Sequence, residues 1–166
     1  MNKIYIAYGS NLNKSQMAAR CPQAHYISKG ILKNWRLVYR GSESGAYASI
    51  VREKGQQVPI GLWLITPYDE RALDIYEGYP RFYGKKNIYC YMPGSRKILA
   101  MAYILPDNSR IGCPSSRYIR TVRDGYRDCG LDMAVLDESL LYNKEEMLSI
   151  GEEYPLTSTR MIGQLR

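Results

Sequence analysis

The chain has 166 residues, a length typical of one compact domain. Hydrophobic residues make up 45% of it and charged residues 23%, a globular composition that excludes a mainly disordered chain. No apolar run approaches the ~20 residues of a membrane span and the start lacks a signal peptide's apolar region, so we expect a cytoplasmic protein with no membrane partner.

The formal net charge of +7 is compatible with nucleic acid or a small anionic molecule as a partner. The densest basic stretch, SSRYIRTVRDGYRD, carries acids among its arginines, which is typical of a solvated helix face. Helical spacing would place Arg120, Arg123 and Arg127 on one side of that helix, with Arg117 at its edge. These arginines and Arg110 could form a nucleic-acid-binding surface. We keep this function as an alternative, although the acids among the arginines disfavour it.

The cysteines are scattered without the C-x-x-C spacing of a zinc site, at Cys21, Cys90, Cys113 and Cys129. His25 is the single histidine, so a metal site would have to draw on distant thiols. We therefore predict free thiols, no metal and no other cofactor.

In chain order, the earlier part is rich in strand-like segments that are apolar or alternating and bounded by Gly and Pro. These segments are Lys3–Tyr8, Leu37–Tyr39, Tyr47–Arg52, Pro59–Ile65, Lys86–Met92 and Lys97–Ile104. Between them, TPYDERALDIYEG predicts a helix that Thr66 caps, with Pro67 in its first turn and Gly78 at its end.

The final part of the chain predicts helices. PSSRYIRTVRDGYRDCG and DMAVLDESLLYN have Ser and Asp at their starts, and Lys144–Ile150 is predicted as a third helix. Because strands come first and helices last, we predict an α+β fold in a single domain rather than a parallel α/β sheet.

The stretch YIAYGSNL, at Tyr5 to Leu12, predicts a buried strand that turns sharply at Gly9 into a helix. Asn11 or Asn13 can cap that helix, and the backbone N–H groups at its start attract an anion. The stretch matches neither the dinucleotide fingerprint nor the P-loop, so a small carboxylate fits better than a nucleotide. A capped turn that binds nothing remains the alternative.

A second candidate is Glu77, the last residue of the predicted helix before Gly78. The helix end raises its pKa by the equivalent of about 1 kcal/mol or less, whereas a general base near neutrality needs a rise of ~2–3 units. Burial would have to supply the rest, with repulsion from Asp74 on the same face adding to it. The aromatic residues expected to bury it are Tyr76, Tyr79, Phe82 and Tyr83. A solvent-exposed acid at a helix end is the alternative.

The motifs that the chain lacks narrow its chemistry. A Ser-His-Asp triad would have to use His25, whose sequence context is more typical of a surface or structural residue. The sequence contains no nucleophile elbow and no zinc-protease motif. If the protein is an enzyme, a carboxylate transfers the proton and the nucleophile belongs to the substrate.

YIAYGSNL followed by LDIYEGYPRFY resembles the γ-glutamylcyclotransferase family, including its AIG2-like relatives. GLWLI at Gly61–Ile65 and CPSSRYIRTVRDGYRDCGLD extend the resemblance in the family's order. It covers residues 1–142, which we predict to be the γ-glutamylcyclotransferase-like domain. The C-terminal helix and tail at 143–166 match nothing in the family, and their role is open.

The resemblance implies a small mixed β-barrel flanked by helices and a cofactor-independent site with a single catalytic acid, Glu77. In this family the loop lines the pocket, and its amides hold the carboxylate of a γ-glutamyl group. The substrate-binding residues it implies are Tyr8, Gly9, Ser10, Asn11, Leu12, Tyr83 and Tyr118.

The activity that the resemblance implies is γ-glutamyl cyclotransfer. The substrate's α-amine attacks its own γ-carbonyl, Glu77 serves as acid and base, and 5-oxoproline and a free amine or amino acid are released. The leaving group stays open among γ-glutamyl amino acids, γ-glutamylamines and γ-glutamyl-protected biosynthetic intermediates, and a homodimer stays open as an assembly. The alternative is a non-catalytic module that binds a small carboxylate in the same pocket.

Overall fold

The computed structural model describes residues 1–42 and 45–154, with the backbone alone described at Ser42. Within these residues the strands are β1 (Lys3–Ala7), β2 (His25–Ser42), β3 (Gly45–Ile65), β4 (Gly84–Met92), β5 (Arg96–Ile104) and β6 (Arg110–Ile111). The α-helices are α1 (Lys14–Arg20), α2 (Pro67–Glu77), α3 (Ser116–Cys129) and α4 (Met133–Ser149).

The strands close into a barrel. β3 pairs with β1, β1 with β5, β5 with β4 and β4 with β2, and β2 returns to β3. The β1–β5 pair is parallel and the other pairs are antiparallel, so the sheet is mixed. β6 adds to the outer part of β2. The predicted α+β fold, a small mixed β-barrel flanked by helices, is confirmed.

A long hairpin of β2 and β3 forms much of the barrel. β2 has 18 residues and β3 has 21, where the sequence predicts only short strands within this region. The exposed residues at 54–57 interrupt the apolar pattern, and the register with β2 shifts there, from Lys33↔Gln57 to Trp35↔Arg52, before pairing resumes. The short predicted strands were therefore wrong in length, because pairing resumes on both sides of this irregularity although its polar residues break the apolar periodicity of β3.

Local sequence signals define α2 completely. The Thr66 side chain accepts a hydrogen bond from the Asp69 N–H, and the Asp69 side chain accepts one from the Thr66 N–H, which is a capping box. Pro67 begins the helix, and Gly78 ends it in the left-handed conformation at φ 63°. The predicted caps are confirmed, and they fix Glu77 as the last helical residue.

The separate third helix predicted at Lys144–Ile150 was wrong. It is the continuation of α4, which runs unbroken to Ser149, because no Gly or Pro interrupts the chain near Asn143. The buried Asn143 side chain donates to the Gly112 carbonyl (3.0 Å), so a polar residue that reads as a helix end instead joins α4 to the barrel.

The C-terminal segment 143–166 is described only as far as residue 154, and the rest of the predicted tail lies outside the described residues. Within the described ranges, every helix is too short or too polar to cross a membrane.

Candidate active site

The loop after β1 makes a single 3-10 turn at Ser10–Leu12. Its first internal hydrogen bond runs from the Leu12 N–H to the Gly9 carbonyl (3.1 Å), so the N–H groups of Ser10 and Asn11 precede it. Asn13, rather than Asn11, caps α1 by accepting from the Gln16 N–H (3.0 Å). The Asn11 side chain is thereby free for other partners.

Helix α3 supports this loop from behind. Leu12 is fully buried, and a Cβ placed on Gly125 of α3 would lie 2.6 Å from the Leu12 Cβ and 2.7 Å from the Asn13 nitrogen. Only a glycine allows this close approach. Of the predicted loop residues, Leu12 therefore anchors the loop in the core, while Tyr8, Gly9, Ser10 and Asn11 line a cavity above it.

The loop and the end of α2 meet through side chains. The Asn11 Nδ2 donates to the Glu77 Oε1 (3.1 Å) and to the Tyr5 hydroxyl (2.9 Å). The Tyr76 hydroxyl and the Ser10 Oγ share a hydrogen bond of 3.1 Å. Residues that lie far apart in the sequence are thus joined directly at one cavity.

Burial raises the pKa of the Glu77 carboxyl from 4.5 to about 7. The positive charge of Arg20 and the hydrogen bond from Asn11 lower it and so oppose this rise. At neutral pH the group is therefore divided between its carboxylate and carboxylic acid forms.

The predicted contribution of Asp74 was wrong. Its carboxylate pairs with Lys85 of β4 (2.7 Å) and accepts from the Tyr103 hydroxyl (2.5 Å), and burial rather than Asp74 raises the Glu77 pKa. Because Lys85 compensates its charge, Asp74 does not act on Glu77 as an uncompensated neighbouring acid.

Tyr83 and Tyr118 line the cavity and hold Ala48 of β3 between them. The Tyr83 hydroxyl donates to the Ala48 carbonyl (2.7 Å), and the Tyr118 hydroxyl accepts from the Ala48 N–H (3.0 Å). The hydroxyl proton of Tyr83 is therefore used in a hydrogen bond within the protein, whereas the hydroxyl proton of Tyr118 remains available to a ligand. A Cβ on Gly9 would lie 3.0 Å from the Tyr118 oxygen, which places that hydroxyl against the loop.

The cavity has a volume of about 350 Å³, at the small end of ligand pockets. The sequence analysis missed Tyr5, Tyr47 and Tyr103, which also line it. The one available signal was the composition, 16 Tyr against one Phe, which indicates a polar interior without locating it. Of the aromatic residues predicted to bury Glu77, Tyr79 is 41% exposed and lies outside the cavity lining.

Arg20 was also missed. It is the last residue of α1, and its guanidinium lies 3.4 Å from the centroid of the Tyr76 ring. It donates to the Asn11 Oδ1 and to the Gln16 Oε1 (3.0 Å). Because Asn11 in turn contacts Glu77, Arg20 acts on this partly buried acid both through its charge and through Asn11.

The arginines of the alternative nucleic-acid surface are largely paired. Arg123 pairs with Asp137 (2.9 Å), Arg127 with Asp124 (2.8 Å), and Arg110 with Glu152 (2.9 Å). These contacts agree with the solvated helix face that the mixed charges predict.

The five-stranded mixed barrel thus carries a partly buried acid at a tyrosine-lined cavity, an arrangement typical of small-molecule sites. The sequence model described as "Gamma-glutamyl cyclotransferase, AIG2-like" matches residues 5–121. The chain belongs to that family, which confirms the resemblance recognised in the sequence.

Solved structures share this fold. One named "Gamma-glutamyl cyclotransferase" is similar with a TM-score of 0.74 and 21% identity, over 99% of each chain. A human protein described as uncharacterized has a TM-score of 0.73 and 22% identity, over 98% of each chain. YkqA from Bacillus subtilis has a TM-score of 0.69 and 18% identity, over 89% of this chain and 55% of its own. A comparison with curated proteins gave no significant match.

Proposed function

We propose that this protein is a γ-glutamyl cyclotransferase, which converts a γ-glutamyl compound into 5-oxoproline and a free amine or amino acid. The observation that carries the proposal is the Glu77 carboxyl, whose pKa burial raises to about 7, held by Asn11 beside the loop after β1. Residues 1–142 are the proposed catalytic domain, no cofactor takes part, and the proposed location is the cytoplasm.

The substrate's α-carboxylate is proposed to bind at the N–H groups of Ser10 and Asn11. These groups precede the first hydrogen bond of the 3-10 turn, so they have donors to offer an anion. Ser10 and Asn11 line the same cavity as Glu77, so one small molecule can reach both. Tyr8, Tyr83 and Tyr118 complete the proposed binding surface.

In the proposed reaction Glu77 removes a proton from the substrate's α-ammonium. The freed amine attacks the γ-carbonyl carbon, Cδ, so that the Cδ–Nα bond forms and the bond from Cδ to the departing nitrogen breaks. Of the three ammonium protons, one stays on the lactam nitrogen and two leave with the amine, one of them through Glu77. The carboxylate is regenerated and no water is consumed.

A substrate that carries its own nucleophile explains why a Ser or Cys nucleophile is unnecessary. Holding the γ-glutamyl chain bent toward a five-membered ring makes the attack intramolecular, which can contribute roughly 7–11 kcal/mol. A base with a pKa near 7 is well matched to this task, since it both accepts and returns a proton near neutral pH.

The oxyanion that develops on the γ-carbonyl needs a donor. Tyr118 fits this role better than Tyr83, because Tyr83 has committed its proton to the Ala48 carbonyl whereas Tyr118 accepts from the Ala48 N–H. Burial raises the pKa of the Tyr118 hydroxyl well above its usual range, so it stays protonated.

The test is a panel of γ-glutamyl compounds incubated with the purified protein, with 5-oxoproline and the free amine both measured. We expect equal amounts of the two products, and their loss in the Glu77→Gln variant. Near-normal turnover by Glu77→Gln would overturn the role of Glu77. Calorimetric binding without product formation would instead favour the non-catalytic carboxylate-binding module.

A further inference from the structure

The residues that line the cavity divide into a buried floor and an exposed rim. Apart from Ala48, the buried members carry side-chain hydroxyl or amide groups, as at Tyr5, Tyr8, Ser10, Asn11, Tyr83 and Tyr103. The rim includes Tyr47, which is 38% exposed, Tyr76, which is 44% exposed, Ile75, which is 84% exposed, and the partly buried Phe82. The buried polar groups thus lie deep in the cavity, and aromatic rings and one aliphatic side chain lie at its mouth.

Aromatic contacts hold part of the rim in place. The Tyr47 ring meets the Phe82 ring edge-on at 6.1 Å and the Tyr118 ring at 5.3 Å. Ile75 stands almost fully in solvent although it adjoins this cavity. An apolar side chain at the mouth of a polar cavity gains free energy only if a ligand covers it.

The lining offers no cationic partner for a negatively charged leaving group. Among the described residues that line the cavity, Glu77 is the only Asp, Glu, Lys, Arg or His. Arg20 lies outside this lining, and its guanidinium is engaged by Asn11, Gln16 and the Tyr76 ring. A carboxylate brought to the mouth would lose solvation there and gain no ion pair from the lining.

Two of the rim residues are close to Glu77 in the protein sequence, which brings the departing group near the rim. In the proposed reaction the Glu77 carboxyl serves both nitrogens, so the scissile amide lies beside it. Ile75 is in the same last turn of α2 as Glu77, and Phe82 follows shortly after that turn. With the glutamyl carboxylate held by the loop, the substituent on the departing nitrogen extends toward these side chains.

We propose that Tyr47, Ile75 and Phe82 form a leaving-group subsite that selects γ-glutamyl compounds whose departing amine bears an uncharged apolar substituent, with an aromatic one preferred. This inference rests on the proposed function and adds to it the chemical class of the leaving group. The polar floor takes the glutamyl part, which all substrates share, and the apolar rim discriminates among the amines.

The test compares kcat/KM for γ-glutamylbenzylamide, γ-glutamylmethylamide and γ-glutamylglycine. We expect the benzylamide to exceed the methylamide by about tenfold or more, in the range that a few apolar groups supply in a pocket. γ-Glutamylglycine, which brings a carboxylate to the rim, is expected to be the poorest. In Ile75→Ala and Tyr47→Ala the benzylamide-to-methylamide ratio falls toward one.

Ile75→Ala is the sharper variant because a side chain that is 84% exposed contributes little to folding. Ile150→Ala is its matched control, since Ile150 is 57% exposed at the end of α4 and outside the cavity lining. The control is expected to keep the wild-type ratio. Equal kcat/KM for the three compounds, or an unchanged ratio in Ile75→Ala and Tyr47→Ala, overturns the subsite while the cyclotransferase function stands.

A binding measurement separates failure of the subsite from failure of the proposed function. If none of the compounds yields 5-oxoproline, the proposed function fails, and calorimetry on the same compounds still tests the rim. Tighter binding of the benzylamide than of γ-glutamylglycine, weakened by Ile75→Ala, would support the subsite. Equal affinities would overturn it.

Discussion

Asn11 and Glu77, which lie on different elements, are joined by a hydrogen bond of 3.1 Å from the Asn11 Nδ2 to the Glu77 Oε1. The Asn11 Oδ1 accepts from Arg20, and its Nδ2 also donates to the Tyr5 hydroxyl (2.9 Å). The carboxamide is therefore held with its oxygen toward a cation and its nitrogen toward the acid. This one side chain couples the loop, α1 and α2 around the cavity.

Glu77→Gln is expected to stabilise the protein above pH 7. The Glu77 pKa is about 7 in the folded state and near 4.5 when unfolded, so the unfolded state binds fewer protons between these values. Wild-type stability therefore falls as pH rises from about 4.5 to 7, by up to about 3 kcal/mol. The free energy of unfolding, measured with denaturant at pH 4 and pH 8, should favour the variant only at pH 8.

Glu70→Gln is the matched control with the opposite sign. Burial raises the Glu70 pKa, but hydrogen bonds and charges from Lys85 and Lys3 together outweigh it and lower the pKa below its ordinary value, so the carboxylate stabilises the fold at neutral pH and this contribution is lost in acid. Glu70→Gln should destabilise the protein at pH 8 and less so at low pH. If both variants change stability in the same direction at pH 8, the burial of Glu77 is not what sets its pKa.

Arg20→Gln is expected to move the acidic limb of the kcat/KM profile to higher pH, because the Arg20 charge lowers the Glu77 pKa. The other titratable side chains that feel the Glu77 charge have raised pKa values and stay neutral over this range: Tyr5, Tyr8, Tyr83 and Tyr118. Arg20 is thus a positioning residue. A variant that is only less stable would keep the acidic limb at its wild-type pH, so a shifted limb distinguishes the two cases.

Two further variants separate the charge of Arg20 from its geometry. Arg20→Lys keeps the positive charge but loses the planar fork that holds Asn11, so kcat/KM should fall while the acidic limb stays nearer its wild-type position. Arg71→Gln removes one charge from the exposed face of α2, outside the cavity lining. An equal shift of the limb in Arg71→Gln and Arg20→Gln would show a general charge effect instead.

Tyr118→Phe is expected to lower kcat by roughly 10²–10³-fold, the usual cost of removing one oxyanion donor. It also leaves the Ala48 N–H without its acceptor, at a cost of about 1–3 kcal/mol in stability. Tyr83→Phe removes the neighbouring hydrogen bond to the Ala48 carbonyl and so a comparable structural contact. Steady-state kinetics should show the larger loss of kcat in Tyr118→Phe, and a thermal melt of each variant checks its stability. Equal losses of kcat in the two variants would contradict the assignment of Tyr118 rather than Tyr83 as the oxyanion donor.

Gly125→Ala tests the support that α3 gives to the loop. Alanine in a helix is ordinarily better than glycine by about 1 kcal/mol, yet here the new Cβ would lie 2.6 Å from the Leu12 Cβ. We expect a net loss of about 1–3 kcal/mol in the free energy of unfolding. Asp124→Ala, at an exposed position of the same helix, should change it little, and a stabilised Gly125→Ala would contradict the close contact.

The sequence predicted best what depends on neighbouring residues. α2 could be placed from Thr66, Pro67 and Gly78 because caps and terminators act within one turn. The strand β2 was largely missed because its pairing partner lies on another segment, which periodicity within one segment does not reveal.

The candidate site was predicted in part. The resemblance supplied the loop and Glu77, and the structure brings them together. Arg20 and the pairing of Asp74 with Lys85 could not be predicted, because each depends on which elements pack side by side. The charge environment of a buried acid is a property of the packed fold, so local spacing alone gave the wrong neighbour for Glu77.

The most direct test of the account is an NMR titration of the Glu77 carboxyl. Protein labelled with ¹³C at the glutamate side-chain carboxyl would be titrated from pH 3 to pH 9, with Glu77→Gln identifying the signal. The account predicts a midpoint of about 7 for this one resonance. A midpoint near 4.5, the ordinary value for a solvated glutamate, would contradict it.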